Sequence, residues 1–147
     1  MSIKTRLQEE QKLAMRAKDK VRLGTIRSLI AAVKQIEIDD KVELNDDAVT
    51  AVVVKAVKQR KDSIAQFEKA ERVDLADIEK AELVILEEFL PQALTSEEVE
   101  AHIKQAIAST GAQGMKDMGK VMGLLQKDIQ GKADMAVVSG LVRANLA

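Results

Sequence analysis

Apolar residues return at three- and four-residue spacing along almost the whole chain, and nowhere does strict alternation last long enough to make a strand. That period restricts the fold to packed helices. Only Val52-Val53-Val54 looks strand-like, and it lies inside a longer helical repeat. The apolar palette agrees, being Ala, Val, Leu, Ile and Met with two Phe and no Trp or Tyr. The spacing predicts helices over 2–18, 19–40, 46–71, 74–90, 96–109, 117–130 and 134–146.

Start and stop signals punctuate this pattern. Asn45 or Asp46 is placed to cap the third helix and Asp74 the fourth. The only proline, Pro91, should end the fourth helix or stand just beyond it. Thr95 and Glu98 then have capping-box spacing. The expected division is therefore an N-terminal domain of about four helices over 1–93 and a small three-helix domain over 94–147. In the second part Gly111 and Gly114 close the fifth helix and its loop. Asp117 can cap the sixth helix, Gly131 can stop it, and Asp134 can cap the seventh.

The chain has no cysteine, which removes disulfides and thiolate chemistry and suits a reducing compartment. No apolar run approaches the roughly 18 residues of a membrane span. The basic, amphipathic start raises a transit peptide, but Glu9 and Glu10 argue against one. The expectation is a soluble cytoplasmic monomer without cofactor or metal.

A net charge of −1 conceals segregation. Residues 1–36 hold 9 basic against 3 acidic side chains, 37–50 hold 1 against 6, 51–72 hold 6 against 3, 73–100 hold 1 against 9, and 101–147 hold 6 against 3. Such blocks either pair with one another or assemble a basic surface for a polyanion. Two charges interrupt apolar seams. Arg60 follows Val49, Val53 and Val57, and Glu82 lies within Leu75, Ile78, Ile85 and Phe89. A charge at a core edge needs a partner, so Arg60 should form a structural ion pair with Glu82 or Glu79. Gly119 and Gly123, four apart within the sixth helix, each cost up to about 1 kcal/mol relative to Ala, and imply a close approach by a neighbouring helix or an RNA backbone.

No catalytic site is recognisable. Gly114 to Lys120 reproduces most of a phosphate-binding G-x-x-x-x-G-K pattern, but Val121 stands where a hydroxyl should hold magnesium, and no strand precedes it. His102 and Glu98 form at most a solvent-facing pair one turn apart. Glu79, Glu82, Glu87 and Glu88 lack a partner base or metal, and Met115, Met118 and Met122 are expected to fill core space.

Several short motifs resemble the GatB/YqeY family. In the first part these are Ala14-Met15-Arg16-Ala17-Lys18-Asp19, Arg22-Leu23, Thr25-Ile26-Arg27 and Lys58-Gln59-Arg60-Lys61-Asp62-Ser63 with Phe67 and Arg72. Leu90-Pro91, Leu94 and Glu97-Glu98 follow. The more specific match is Met118-Gly119-Lys120-Val121-Met122-Gly123 with Gly131-Lys132-Ala133-Asp134 and Leu146. The similarity spans essentially the whole chain. It departs at Glu71, Phe89, Lys132 and Met135, where the family more often has Gly, Tyr, Arg and Gly. Phe89 removes a hydroxyl and Lys132 a bidentate donor.

The resemblance implies a non-catalytic accessory module related to the tail of the glutamine-dependent tRNA amidotransferase, a carbon-nitrogen ligase, without the ligase itself. It further implies contact with tRNA or another structured RNA through Lys116, Lys120, Lys127, Lys132 and Arg143, with Arg16, Arg22, Arg27, Lys58 and Lys61 extending the surface. With almost no aromatic residues for base stacking, such contact should read backbone and shape. The alternative is a protein-interaction module docking on an amidotransferase or an aminoacyl-tRNA synthetase. An independent amidotransferase is disfavoured by the missing ammonia-generating and ATP-using sites.

Overall fold

A computed structural model describes residues 1–147, and it is all-helical. Seven helices follow one another: α1 (Ile3–Ala17), α2 (Lys20–Asp40), α3 (Asp46–Lys69), α4 (Val73–Glu87), α5 (Ser96–Thr110), α6 (Met118–Ile129) and α7 (Met135–Leu146). A single 3-10 turn at Met115–Asp117 leads into α6. None of the helices is long and apolar enough to cross a membrane. The chain divides into two compact units, Met1–Leu90 and Pro91–Ala147.

In the first unit α1 to α4 enclose Leu7, Ile26, Leu29, Val33, Val49, Val53, Val57, Leu86 and Phe89. The N-terminal segment weighed as a transit peptide is thus a packed helix whose Leu7 reaches the core. Side chains fix the helix starts: Ser2 accepts from the Thr5 amide, Asp19 from Arg22 and Asn45 from Ala48. Each such cap stabilises its helix by about 1 kcal/mol. α4 departs from the expectation. It starts at Val73 behind Arg72 without a side-chain cap, and Asp74 sits in its first turn and pairs with Arg72 at 3.0 Å. Its seam also differs. Ile78 is 54 % exposed, while Ala76, Glu79, Leu83 and Leu86 turn inward. Ala76 is fully buried, and α4 packs most extensively against α3.

The second unit has its own core of Val99, Ile103, Ala106, Val121, Leu125, Ile129, Val138, Val142 and Leu146. The Thr95–Glu98 capping box opens α5 with both reciprocal hydrogen bonds made. Gly111, at φ 67°, closes it in the left-handed conformation that glycine tolerates best. Asp117 does not cap α6. The 3-10 turn already occupies the first amides, Asp117 N–H donating to the Gly114 carbonyl at 3.0 Å and Met118 N–H to that of Met115. The Asp117 carboxylate instead accepts from Gln113 N–H at 3.0 Å and fixes the loop.

Candidate nucleic-acid interface

The outward face of α6 is the feature of the second unit least explained by folding. Val121, Leu125 and Ile129 recur every four residues and are wholly buried. Seen down the axis, Lys120, Gly123 and Lys127 fall on the opposite side, and all three are exposed. Lys116, in the preceding turn, is exposed as well. Lys120 and Lys127 stand about 10 Å apart along the axis. Every ion pair of the molecule lies among residues 4–82 or at Glu88, so none of these lysines is neutralised by an acid.

Gly119 and Gly123 correct an expectation. A Cβ built at either would meet no atom within 4 Å, so no neighbouring helix closes on them. The core is on the far side of α6, and the two glycines leave its solvent side low and open. Of the remaining tail residues, Arg143 is exposed near the end of α7. Lys132 is half-buried, and its backbone serves the fold, the carbonyl accepting from Leu94 N–H at 2.8 Å while the N–H donates to the Ile129 carbonyl at 2.9 Å. The Gly131–Asp134 stretch, with Gly131 at φ 80°, thereby ties the approach to α5 onto the end of α6. Met118 and Met122 pack against the core, whereas Met115 is 46 % exposed.

Among the N-terminal cations, Arg16, Arg27, Lys58 and Lys61 are exposed and outside any ion pair. Arg22 is not available. It bridges Glu10 at 2.9 Å and Glu88 at 2.7 Å, and the two carboxylates hold its guanidinium pKa above the usual arginine value. Arg60 Nε approaches Glu82 Oε2 at 2.7 Å and Glu79 Oε2 at 3.3 Å, and all three side chains are about three-quarters covered. The contact is a close approach of charges rather than a well-aligned hydrogen bond, since Arg60 Nε and Glu79 Oε2 have no directional partner.

Other charged contacts have no local sequence signal. Arg6 lies 5.2 Å from the centroid of the Phe89 ring and donates to the Glu88 carbonyl at 3.1 Å, closing the end of α4. Lys4 reaches Glu37 at 3.0 Å and Glu43 at 3.4 Å beside an open cleft of about 310 Å³. Glu37 also accepts from Leu44 N–H, which with Lys4 lowers its pKa, while Glu37 raises that of Lys4. A lowered carboxylate contributes stability above its unfolded pKa and loses it as pH falls through the folded value. A raised lysine contributes below its unfolded pKa and loses it as pH rises through the folded value. This latch therefore holds throughout the range between the ordinary glutamate and lysine pKa values, and loosens only as pH falls through the lowered Glu37 value or rises through the raised Lys4 value. No group of three or more His, Asp or Glu side chains is placed to hold a metal ion.

A family model described as Yqey-like protein matches residues 4–146. The chain belongs to that family. Its relatives include proteins named "Altered inheritance of mitochondria protein 41, mitochondrial". That of Kluyveromyces lactis is 37 % identical over 145 residues, covering 96 % of this chain and 74 % of the relative. The Pyrenophora tritici-repentis protein is 32 % identical over 130 residues, covering 87 % and 71 %. The Lachancea thermotolerans protein is 38 % identical over 99 residues, covering 67 % and 53 %. The expected cytoplasmic location is overturned by these names, which point to mitochondria. Lack of cysteine and of a spanning helix fits any reducing compartment, so composition could not have separated the two.

Proposed function

We propose that this family member is a non-catalytic accessory module that binds tRNA or another structured RNA through the outward face of α6. One observation carries the reading: Lys120 and Lys127 share that face with Gly123, unpaired by any acid and with nothing packed above the glycine, and the exposed, unpaired Lys116 stands in the turn that leads into it. Lysine ammonium groups beside a low, open helix surface suit a phosphate backbone, which contributes affinity without base reading. Arg143 and the side chain of Lys132 extend the set. The relation to the amidotransferase tail belongs to the same reading, as does the separateness of the two units as domains. The relatives' names bring a mitochondrial setting to it.

Phosphate contacts release counterions, so tRNA affinity should fall steeply with added salt. Neutralising Lys116, Lys120 and Lys127 to Gln should flatten the slope of log K against log salt by about 2 to 2.7, at 0.7 to 0.9 for each lost contact, without shifting the melting temperature. Binding titrations across a salt series check this. If wild type does not prefer tRNA over a generic duplex of equal length at near-physiological salt, the reading fails, and docking on an amidotransferase or synthetase replaces it.

A further inference from the structure

The corner between α1 and α2 breaks three rules of local stability at once. Lys12 and Arg16 are like charges one turn apart on the exposed face of α1, an arrangement that destabilises a helix. Lys18, the residue that ends α1, adopts φ 58° and ψ 32°, a left-handed conformation normally left to Gly or Asn. Lys20 is the first residue of α2, where the positive end of the helix dipole disfavours a cation, and that first turn contains no acid. Lys41 and Glu71 share the left-handed backbone, but neither combines it with the other two penalties.

Local contacts offset part of this, since Asp19 N–H donates to the Ala14 carbonyl at 3.0 Å, the Asp19 carboxylate caps α2, and Arg16 stands in the last turn of α1 where the helix dipole favours a cation, but the cations themselves have no partner. Lys12, Arg16, Lys18 and Lys20 are exposed, and none lies within 4 Å of a carboxylate, although other cations of the same unit do. The Asp19 carboxylate inside the corner is occupied in capping α2 through Arg22 N–H at 3.1 Å. Glu9, one turn before Lys12, makes no ion pair. Arg27 continues the basic stripe two turns along α2 from Lys20. Five exposed cations within about two helical turns of one corner, none with a carboxylate partner, are charges that the fold does not use.

We propose that this corner is a second phosphate-binding patch for the same RNA, so that the chain engages RNA at two points, one in each compact unit. This deepens the function proposed above and rests on it for the identity of the ligand. A polyanion is the fitting partner because the patch is cationic and solvated. Two tethered contacts raise affinity multiplicatively, so loss of either should be felt throughout.

The test uses the full chain with bulk tRNA as probe. Replacing Lys12, Arg16, Lys18 and Lys20 by Gln should weaken binding at least about tenfold and flatten the salt slope by about 3, as expected for four lost contacts. Lys18→Gly removes both the strain and the charge, so its melting temperature should rise while its tRNA affinity falls. A corner serving only structure would give the rise without the fall, and that result overturns the proposal. It is also overturned if the fourfold variant binds like wild type while the α6 lysine variant is impaired, a result that leaves the α6 site standing. The reverse pattern would remove the α6 site and keep the corner. Corner-dependent binding to phosphatidylglycerol vesicles with no binding to tRNA would overturn the RNA assignment and make the patch a membrane-surface contact.

Discussion

The two compact units are built from the same helical pattern and treat their charges in opposite ways. In Met1–Leu90 every helix is joined to another by at least one charged contact: Lys4 to Glu37, Arg22 to Glu10 and Glu88, and Arg60 to Glu79 and Glu82. In Pro91–Ala147 no ion pair forms, and α5, α6 and α7 are held by aliphatic packing around Val121, Leu125 and Ile129 together with caps. The lesson is that the cations of the small unit are not part of its framework. A unit of this size has a limited core, so its stability is concentrated in a few side chains while its surface lysines remain free.

The comparison breaks most readily at Leu125. Truncating this fully buried side chain to Ala should cost about 2 to 5 kcal/mol, a large share of what so small a unit can have. Amide exchange should accelerate throughout residues 96–146 while α1 to α4 stay protected. If protection is lost equally over residues 3–87, the units fold as one and the contrast fails.

A smaller effect is expected at Arg60. Side-chain exposures of 24 %, 23 % and 26 % for Arg60, Glu79 and Glu82 fall short of full burial, so Arg60→Ala should cost about 1 to 3 kcal/mol rather than the full penalty for a buried orphan charge. Urea titration should show the loss, and adding Glu82→Gln should recover part of it. An Arg60→Ala protein that unfolds like wild type but loses tRNA would move this charge from the framework to the binding surface.

The smallest change sharpens the contrast from the other side. With open space at its Cβ position, Gly123→Ala should stabilise the second unit by about 0.5 to 1 kcal/mol, because only backbone entropy changes. Thermal melting distinguishes this from the destabilisation that a tightly packed glycine would give. The same variant should weaken tRNA binding if the low surface admits a backbone.

Much of the fold was legible because it is written in short-range signals. The helices, the Thr95–Glu98 box, the Asn45 and Asp134 caps and the left-handed Gly111 all involve residues within one turn of each other. The proposed binding site was only partly legible. The sequence placed Lys116, Lys120 and Lys127 among the candidates, but it also included Arg22, which is enclosed by Glu10 and Glu88, and it passed over Lys12, Lys18 and Lys20.

What the sequence determined by itself is the helical class, the position of the breaks and the Val49, Val53 and Val57 stripe of α3, because the 3.6-residue period and the capping chemistry act locally. Only the tertiary structure decided which charges are used up. Arg22 meets a carboxylate 66 positions away and Arg6 a carbonyl 82 positions away, and no spacing rule reaches that far. It also decided that Ile78 faces solvent while Glu79 faces Arg60, and that Gly119 and Gly123 stand open. A helix fixes the angle between its own side chains, but whether a given face meets a partner or water depends on how the helices pack.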